Sequence, residues 1–193
     1  MHAIVSLLDK VYYERVEKLW AEFQREFGVQ GVYVTPYPHF SYQIANHYDL
    51  DKLLPRLRHL AAHHAPFTIR TTGLGLFTGT SPVLYIPVTR TAQLSSLQQI
   101  LWRQGARYGK GVSPYYHPDQ WTPHITIGFA DLNSENLPHI IRYLSTRNFS
   151  WEIPIKNLAL IYDTSTRQEL REQYQFSGKP AHPVTKSRAN LNM

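Results

Sequence analysis

Cysteine is absent from the 193-residue chain, which excludes disulfides, thiolate metal sites and cysteine nucleophiles together. That absence fits a cytoplasmic protein, the location expected here. Long apolar runs are missing too: none approaches the roughly 18 to 20 residues a membrane span needs, so no membrane partner is expected. The opening MHAIVSLLDK has only a short apolar stretch and no basic leader, and it reaches Asp9 almost at once. It reads as a first strand and not as a signal peptide. Acidic residues are the minority charge, with 14 Asp and Glu against 20 Lys and Arg, for a formal charge of +6. A moderate basic excess suits an anionic partner such as RNA or a nucleotide, although small proteins without that role carry it as well.

What is present is an ordinary globular composition, 42% hydrophobic and 18% charged, enough for one substantial core or two small lobes sharing one. Residues 2–8 are apolar and β-tending. Residues 11–27 place Val16, Leu19, Trp20, Phe23 and Phe27 on one helical face, and Gly28 supplies the stop. A strand follows at about 38–45. Asp49 is expected to cap a helix that buries Leu50, Leu53, Leu54, Leu57, Leu60 and Ala61. Strands are expected at 67–78 and 83–89, and a helix at about 91–107. A loop rich in Gly, Pro and aromatics then spans 108–123, a length that is often functional. A strand at 124–130, a helix at 134–146 and strands at 149–162 and 168–177 complete the order. The whole is expected to be one bilobal domain over 1–177, with a mobile tail at 178–193.

The order strand, helix, strand, strand occurs twice. PHFSYQIA at 38–45 can be laid on PHITIGFA at 123–130: Pro, His and the last Ala coincide, and a hydroxyl residue stands two after each His. Further on, IRTTGLGLF at 69–77 lies over IPIKNLALI at 153–161. Single H-x-S or H-x-T triplets arise readily by chance. Two at the same point of a repeated unit do not, and a pseudo-two-fold pairing of the copies would set them face to face.

Alternation along a strand sends His39 and Ser41 to one side, and likewise His124 and Thr126. Phe40, Tyr42 and Ile44, with Ile125, Ile127 and Phe129, are then expected to point into the lobes. Two imidazoles and two hydroxyls in one cleft suit displacement at phosphorus. A neutral ring takes a proton from the attacking oxygen, and a charged ring gives one to the departing oxygen. The hydroxyls would donate to the non-bridging oxygens. Hydrolytic metal sites usually recruit carboxylates or clustered histidines. Neither triplet contains an acid, and the adjacent His63 and His64 do not share a helix face. No metal site is expected.

In these residues the chain resembles the 2H phosphoesterase superfamily, in its bacterial branch of 2′-5′ RNA ligase or cyclic phosphodiesterase type. PHFSYQ and PHITIG stand where that family has its two H-x-[S/T] motifs, and Ser41 occupies a place where Thr is commoner. The resemblance covers about residues 2–177. It implies a duplicated α+β fold of two lobes, with antiparallel sheets facing a central cleft and helices outside. It also implies an enzyme needing neither ATP, metal nor other cofactor, acting on 2′,3′-cyclic phosphates or 2′-5′ phosphodiester bonds of an RNA end or small nucleotide. Carried over, His39 and His124 are the acid–base pair, and Ser41 and Thr126 hold the phosphate. Which histidine is the base is left open. A small cyclic phosphate outside RNA metabolism and a non-catalytic RNA-binding module are the competing readings. On the long loop Tyr115, Tyr116 and Trp121 could stack on a base or anchor the loop. Arg103, Arg107 and Lys110 could meet phosphates or form a solvated helix end.

Overall fold

In the computed structural model, which describes residues 1–179, the elements are β1 (His2–Leu7), α1 (Lys10–Phe27), β2 (His39–Tyr48), α2 (Leu50–His63), β3 (Phe67–Arg70), β4 (Gly75–Phe77), β5 (Val83–Pro87), α3 (Ala92–Tyr108), β6 (Gly109–Val112), β7 (His124–Gly128), α4 (Asn136–Leu144), β8 (Glu152–Ile155), β9 (Asn157–Asp163) and β10 (Gln168–Gln175). The part of the expected tail beyond residue 179 lies outside the described residues. Gly178 donates its N–H to the carbonyl of His64 at 3.0 Å.

The helices form where the apolar period demands a buried stripe. α1 buries Val16, Leu19, Trp20 and Phe23 and ends at Gly28, whose φ of 69° closes the last turn with its N–H on Gln24 and Phe23 carbonyls. α3 starts at Thr91, whose side chain accepts from the Leu94 N–H. Its Gly105 stands where any Cβ would collide with the side chain of Gln43, so the Gln43 amide lies directly against the helix backbone. Asp49 occupies the cap position of α2 without capping it; its carboxylate pairs instead with Lys52 Nζ at 2.7 Å.

Eight strands form one sheet in the order β10-β9-β1-β2-β7-β5-β4, with β6 added to β2, while β3 and β8 make a separate two-stranded sheet. All pairings are antiparallel. The core of that order, β9-β1-β2 against β7-β5-β4, is symmetric about the junction of β2 and β7. Phe40 is the register partner of Ile125, and these are the residues following each histidine. Ile69 is likewise the partner of Ile153, the positions that the repeat lays over one another. Both pairs therefore lie on one local two-fold axis. α2 and α3 cover the β2 half and α1 and α4 the β7 half, giving two lobes with helices outside.

The duplicated unit is larger than the sequence comparison suggested. β1 flanks β2 as β5 flanks β7: Leu7 faces His39 and Val5 faces Ser41, while Pro87 faces His124 and Tyr85 faces Thr126. Both ladders carry a register shift at the same point, between Ile4 and Val5 and between Leu84 and Tyr85. A β-bulge inserts one residue and reverses the alternation beyond it. Phe40, Tyr42, Ile125 and Ile127 are buried as expected. Past the bulges Ile44 and Phe129 turn to the cleft, which corrects the expectation that they point inward.

Three other boundaries differ. The strand expected over 67–78 breaks after Arg70, and the one over 149–162 breaks at Lys156, because each chain segment leaves the β3–β8 sheet there and enters the large one. Gly73, at φ 59°, makes the first of these crossings possible. The loop over 108–123 is partly ordered as β6, which pairs with Ala45, His47 and Tyr48 and so extends β2 beyond residue 45, and as a 3-10 turn at Pro114–Tyr116.

At the second crossing Asn157 fastens β9 to β1. Its buried side chain accepts from Leu7 N–H and donates to Leu7 C=O, both at 2.9 Å, while Ser6 Oγ donates to the Asn157 carbonyl at 2.6 Å. Asn157→Ala should strand both Leu7 groups and lower stability by about 2–6 kcal/mol, from roughly 1–3 kcal/mol per unsatisfied buried group. A urea midpoint that scarcely moves would show that β1 does not depend on this clamp.

Candidate active site

The junction of β2 and β7 opens on a cleft of about 760 Å³, and His39, Ser41, His124 and Thr126 all line it. The four arrive there through the register just described. Each histidine begins its strand, each hydroxyl residue follows two positions on along the same face, and the axis passes through the intervening Phe40–Ile125 pair.

Each imidazole is held in the same way. His39 Nδ1 lies 2.5 Å from the carbonyl of Tyr37, and His124 Nδ1 lies 2.7 Å from the carbonyl of Thr122. A carbonyl can only accept, so Nδ1 carries the hydrogen in both rings and each neutral ring keeps its lone pair on Nε2. Pro38 and Pro123 restrict the preceding Tyr37 and Thr122 to extended backbone, and their own carbonyls accept from Leu8 N–H at 3.0 Å and Val88 N–H at 2.9 Å. The shared X-Pro-His sequence was the available signal for this tether, which reading the triplets alone passed over.

Two indoles support the hydroxyl residues from behind. Trp121 Nε1–H donates to the carbonyl of Ser41 at 2.9 Å, and Trp20 Nε1–H to that of Thr126 at 3.3 Å. The His124 ring is further packed by Phe77, edge-on at 5.0 Å, and by Tyr85 at 5.1 Å. Burial disfavours the imidazolium in both rings: His39 is pushed down to about 4, with the neighbouring His124 adding to the effect, and His124 is also lowered. The hydrogen bonds to Tyr37 and Thr122 oppose the shift without overcoming it.

The other site expectations divide. Tyr115 and Tyr116 line the cleft. Tyr115 is 78% exposed, whereas burial pushes the Tyr116 phenol up to about 12, partly offset by the Ser41 hydroxyl beside it. Trp121 lines the cleft as well, but it is only 2% exposed, stacked on Tyr42 and bonded to the Ser41 carbonyl, which favours the anchoring role left open beside base stacking. Arg103, Arg107 and Lys110 require a correction, since they are exposed on α3 and β6 and none lines the cleft. Sequence reasoning missed Trp20, Phe77, Ile44 and Phe129. The first two come from elements distant in sequence, and the last two reach the cleft only through the bulges. Among the described residues no group of three or more His, Asp or Glu is arranged to hold a metal, and no helix is long and apolar enough to cross a membrane.

Comparison with known proteins places this geometry in context. Residues 12–167 match the family model of the 2′-5′ RNA ligase superfamily. A Bacillus cereus protein with the provisional name of phosphoesterase is 23% identical over 159 residues, 82% of this chain and 86% of that one. A Bacillus mycoides protein of the same provisional name is 26% identical over 113 residues, and the match spans 58% of this chain and 61% of the relative. Among solved structures, TT0787 of Thermus thermophilus has a similar fold with a TM-score of 0.60 at 18% identity, covering 93% of this chain and 99% of that one. E. coli LigT complexed with 3′-AMP gives 0.57 at 15% identity, covering 91% and 97%.

Because the folded-state pKa of His39 lies below the unfolded value near 6.5, its contribution to stability is intact above about pH 6.5 and is lost as pH falls toward 4. NMR titration of the free protein should find both rings as Nδ1–H tautomers titrating below 6.5, His39 the lower. His39→Gln should flatten the fall in unfolding free energy between those pH values. A His39 ring titrating at or above 6.5 would contradict the desolvation argument.

Proposed function

The chain belongs to the 2′-5′ RNA ligase superfamily, and we propose that it is a metal- and ATP-independent phosphodiesterase. The bonds it acts on are 2′,3′-cyclic phosphates or 2′-5′ phosphodiesters of RNA ends or nucleotides, in a cytoplasmic setting, through a single bilobal unit over residues 1–177. One observation carries this reading: two imidazoles with Nδ1 tethered and Nε2 free line one cleft together with two hydroxyls, about a local two-fold axis.

The residues divide the reaction between them. An unprotonated Nε2 accepts the proton of the attacking water as its oxygen bonds to phosphorus. The Nε2–H of the other ring donates to the departing ribose oxygen as the P–O bond breaks, and the product is a phosphomonoester. Both rings are neutral at pH 7 in the free cleft. The substrate's own negative charge therefore helps one of them to hold the proton it must give, as an adjacent anion raises an imidazole pKa. Ser41 and Thr126 donate to the non-bridging oxygens as charge gathers there. In the reverse direction the two rings exchange roles, which the near-symmetry of their tethers permits.

Activity on a 2′,3′-cyclic nucleotide should survive exhaustive EDTA treatment; complete loss restored by one divalent ion would overturn the mechanism.

His39→Ala and His124→Ala should each cost about 10² to 10⁴ in rate. The double variant should be little worse, because groups acting as a unit are not additive. Ser41→Ala and Thr126→Val should cost about 10 to 10³, the loss of one donor to the developing charge. Steady-state rates on variants with unchanged circular dichroism decide the matter, and a His39→Ala enzyme of near-full activity would refute the two-histidine scheme.

A further inference from the structure

Resting on that reading, we infer that the cleft takes a mononucleotide-sized substrate, with one phosphodiester charge and an apolar or aromatic group, and offers no grip to further phosphates of an RNA chain. Among the described residues no Lys, Arg, Asp or Glu side chain lines it. The exposed large hydrophobic side chains of the described residues gather there instead: Met1, Val34, Leu76, Phe77, Tyr115 and Phe129 line this one cleft, and of those described only Val11, Tyr33 and Ile141 lie elsewhere. Exposed apolar groups concentrated in a concavity mark what the concavity binds.

Electrostatics points the same way. A groove that follows a polynucleotide supplies cations along the backbone, and each phosphate engaged steepens the salt dependence of binding. Among the described residues the Lys and Arg side chains stay out of the cleft lining, and even Arg90, which lies over the ring of Trp121, directs its guanidinium to the carbonyls of Trp121 and Pro118. Arg15 lies over Tyr12 and Trp151, Arg58 over Tyr174, and Arg147 is paired with Glu22 at 2.6 Å. Of the side chains lining the cleft only the two imidazoles can carry positive charge, and burial lowers their affinity for it. The amine of Met1 is turned to the Asp163 carboxylate, 3.8 Å away. Two hydroxyls and one imidazolium suffice for a single phosphodiester. A second phosphate entering beside Leu76, Phe77 or Phe129 would lose hydration and meet no cation, only neutral donors such as Thr78 and Gln120.

The test is equilibrium binding to the full-length protein of adenosine 3′-monophosphate and of an oligoadenylate of about six nucleotides ending in the same 3′-phosphate, each across a series of salt concentrations. The inference expects dissociation constants within about threefold of one another and logarithmic salt slopes that agree within about one unit. An oligonucleotide bound tenfold or more tightly, with a slope steeper by about two units, would report some three additional phosphate contacts at about −0.7 each for a single strand and would overturn it. Failure of either ligand to bind at millimolar concentration would overturn it as well. Turnover of the 2′,3′-cyclic mononucleotide is measured separately. Binding as expected without turnover would sink the phosphodiesterase reading and leave this one standing.

Discussion

One strand contact organises this molecule, the meeting of β2 and β7 at Phe40 and Ile125. It is a single register pair, yet it lies on the axis relating the two halves, so whatever one motif strand does the other repeats across it. Neither motif imidazole could share the cleft with the other if the strands met one residue out of register, because a slip of one exchanges the two faces of a strand. The pair is held from behind by burial: Phe40 and Ile125 are both fully buried, and Phe40 packs edge-on to Tyr42 at 5.0 Å. A second ladder on the same axis, β3 with β8, clamps the halves at the point where the repeat aligns Ile69 with Ile153. Two short contacts on one axis fix a rotation more firmly than either could alone.

The bulges explain why a strand of one protein can serve two environments. Before the bulge β2 sends Phe40 and Tyr42 into the core and His39 and Ser41 to the cleft. After it Gln43 enters the α3 side, accepting from Tyr48 Oη–H at 2.9 Å and donating to the Trp102 carbonyl at 3.2 Å, while Ile44 faces the cleft. The same device in β7 brings out Phe129. The imidazoles and hydroxyls and part of the apolar lining thus come from consecutive parts of each motif segment, to which the 108–123 loop adds Tyr115, Tyr116 and Trp121.

Much of this was legible in the sequence, and the limits have physical causes. The helical stripe of α1 and its stop at Gly28, the two motif strands, and the alignment of 69–77 with 153–161 all leave a residue pattern, because packing against a core constrains residue type at each step. The kinship of β1 with β5 left almost none. Both strands are buried apolar segments, and many sequences satisfy that equally. Bulges leave no pattern either, since the inserted residue keeps whatever side chain its new side requires; Ile44 and Phe129 therefore read as core. Trp121 stays open between two roles in the sequence for a related reason. An aromatic on a loop before a motif strand fits stacking as well as anchoring, and only its burial and its indole N–H on the Ser41 carbonyl favour the anchor.

The symmetry of the site is closest where chemistry requires exchange and weakest where recognition requires a choice. The tethers on Tyr37 and Thr122, the indoles behind Ser41 and Thr126 and the register of both hydroxyls are shared by the halves. The surroundings of the rings are not. Phe77 and Tyr85 pack the His124 ring, and β10 with β6 enlarges only the half that carries His39. A phosphodiester is itself nearly symmetric at phosphorus, with an entering and a leaving oxygen, but its substituents are not. If the two imidazoles act as the proposed acid–base pair, their two-fold arrangement can accept the phosphorus in either sense. On the proposed mechanism the unlike walls, together with the deeper depression of the His39 pKa, would set which oxygen meets which imidazole, so the direction of proton transfer would follow how the organic part of the substrate packs.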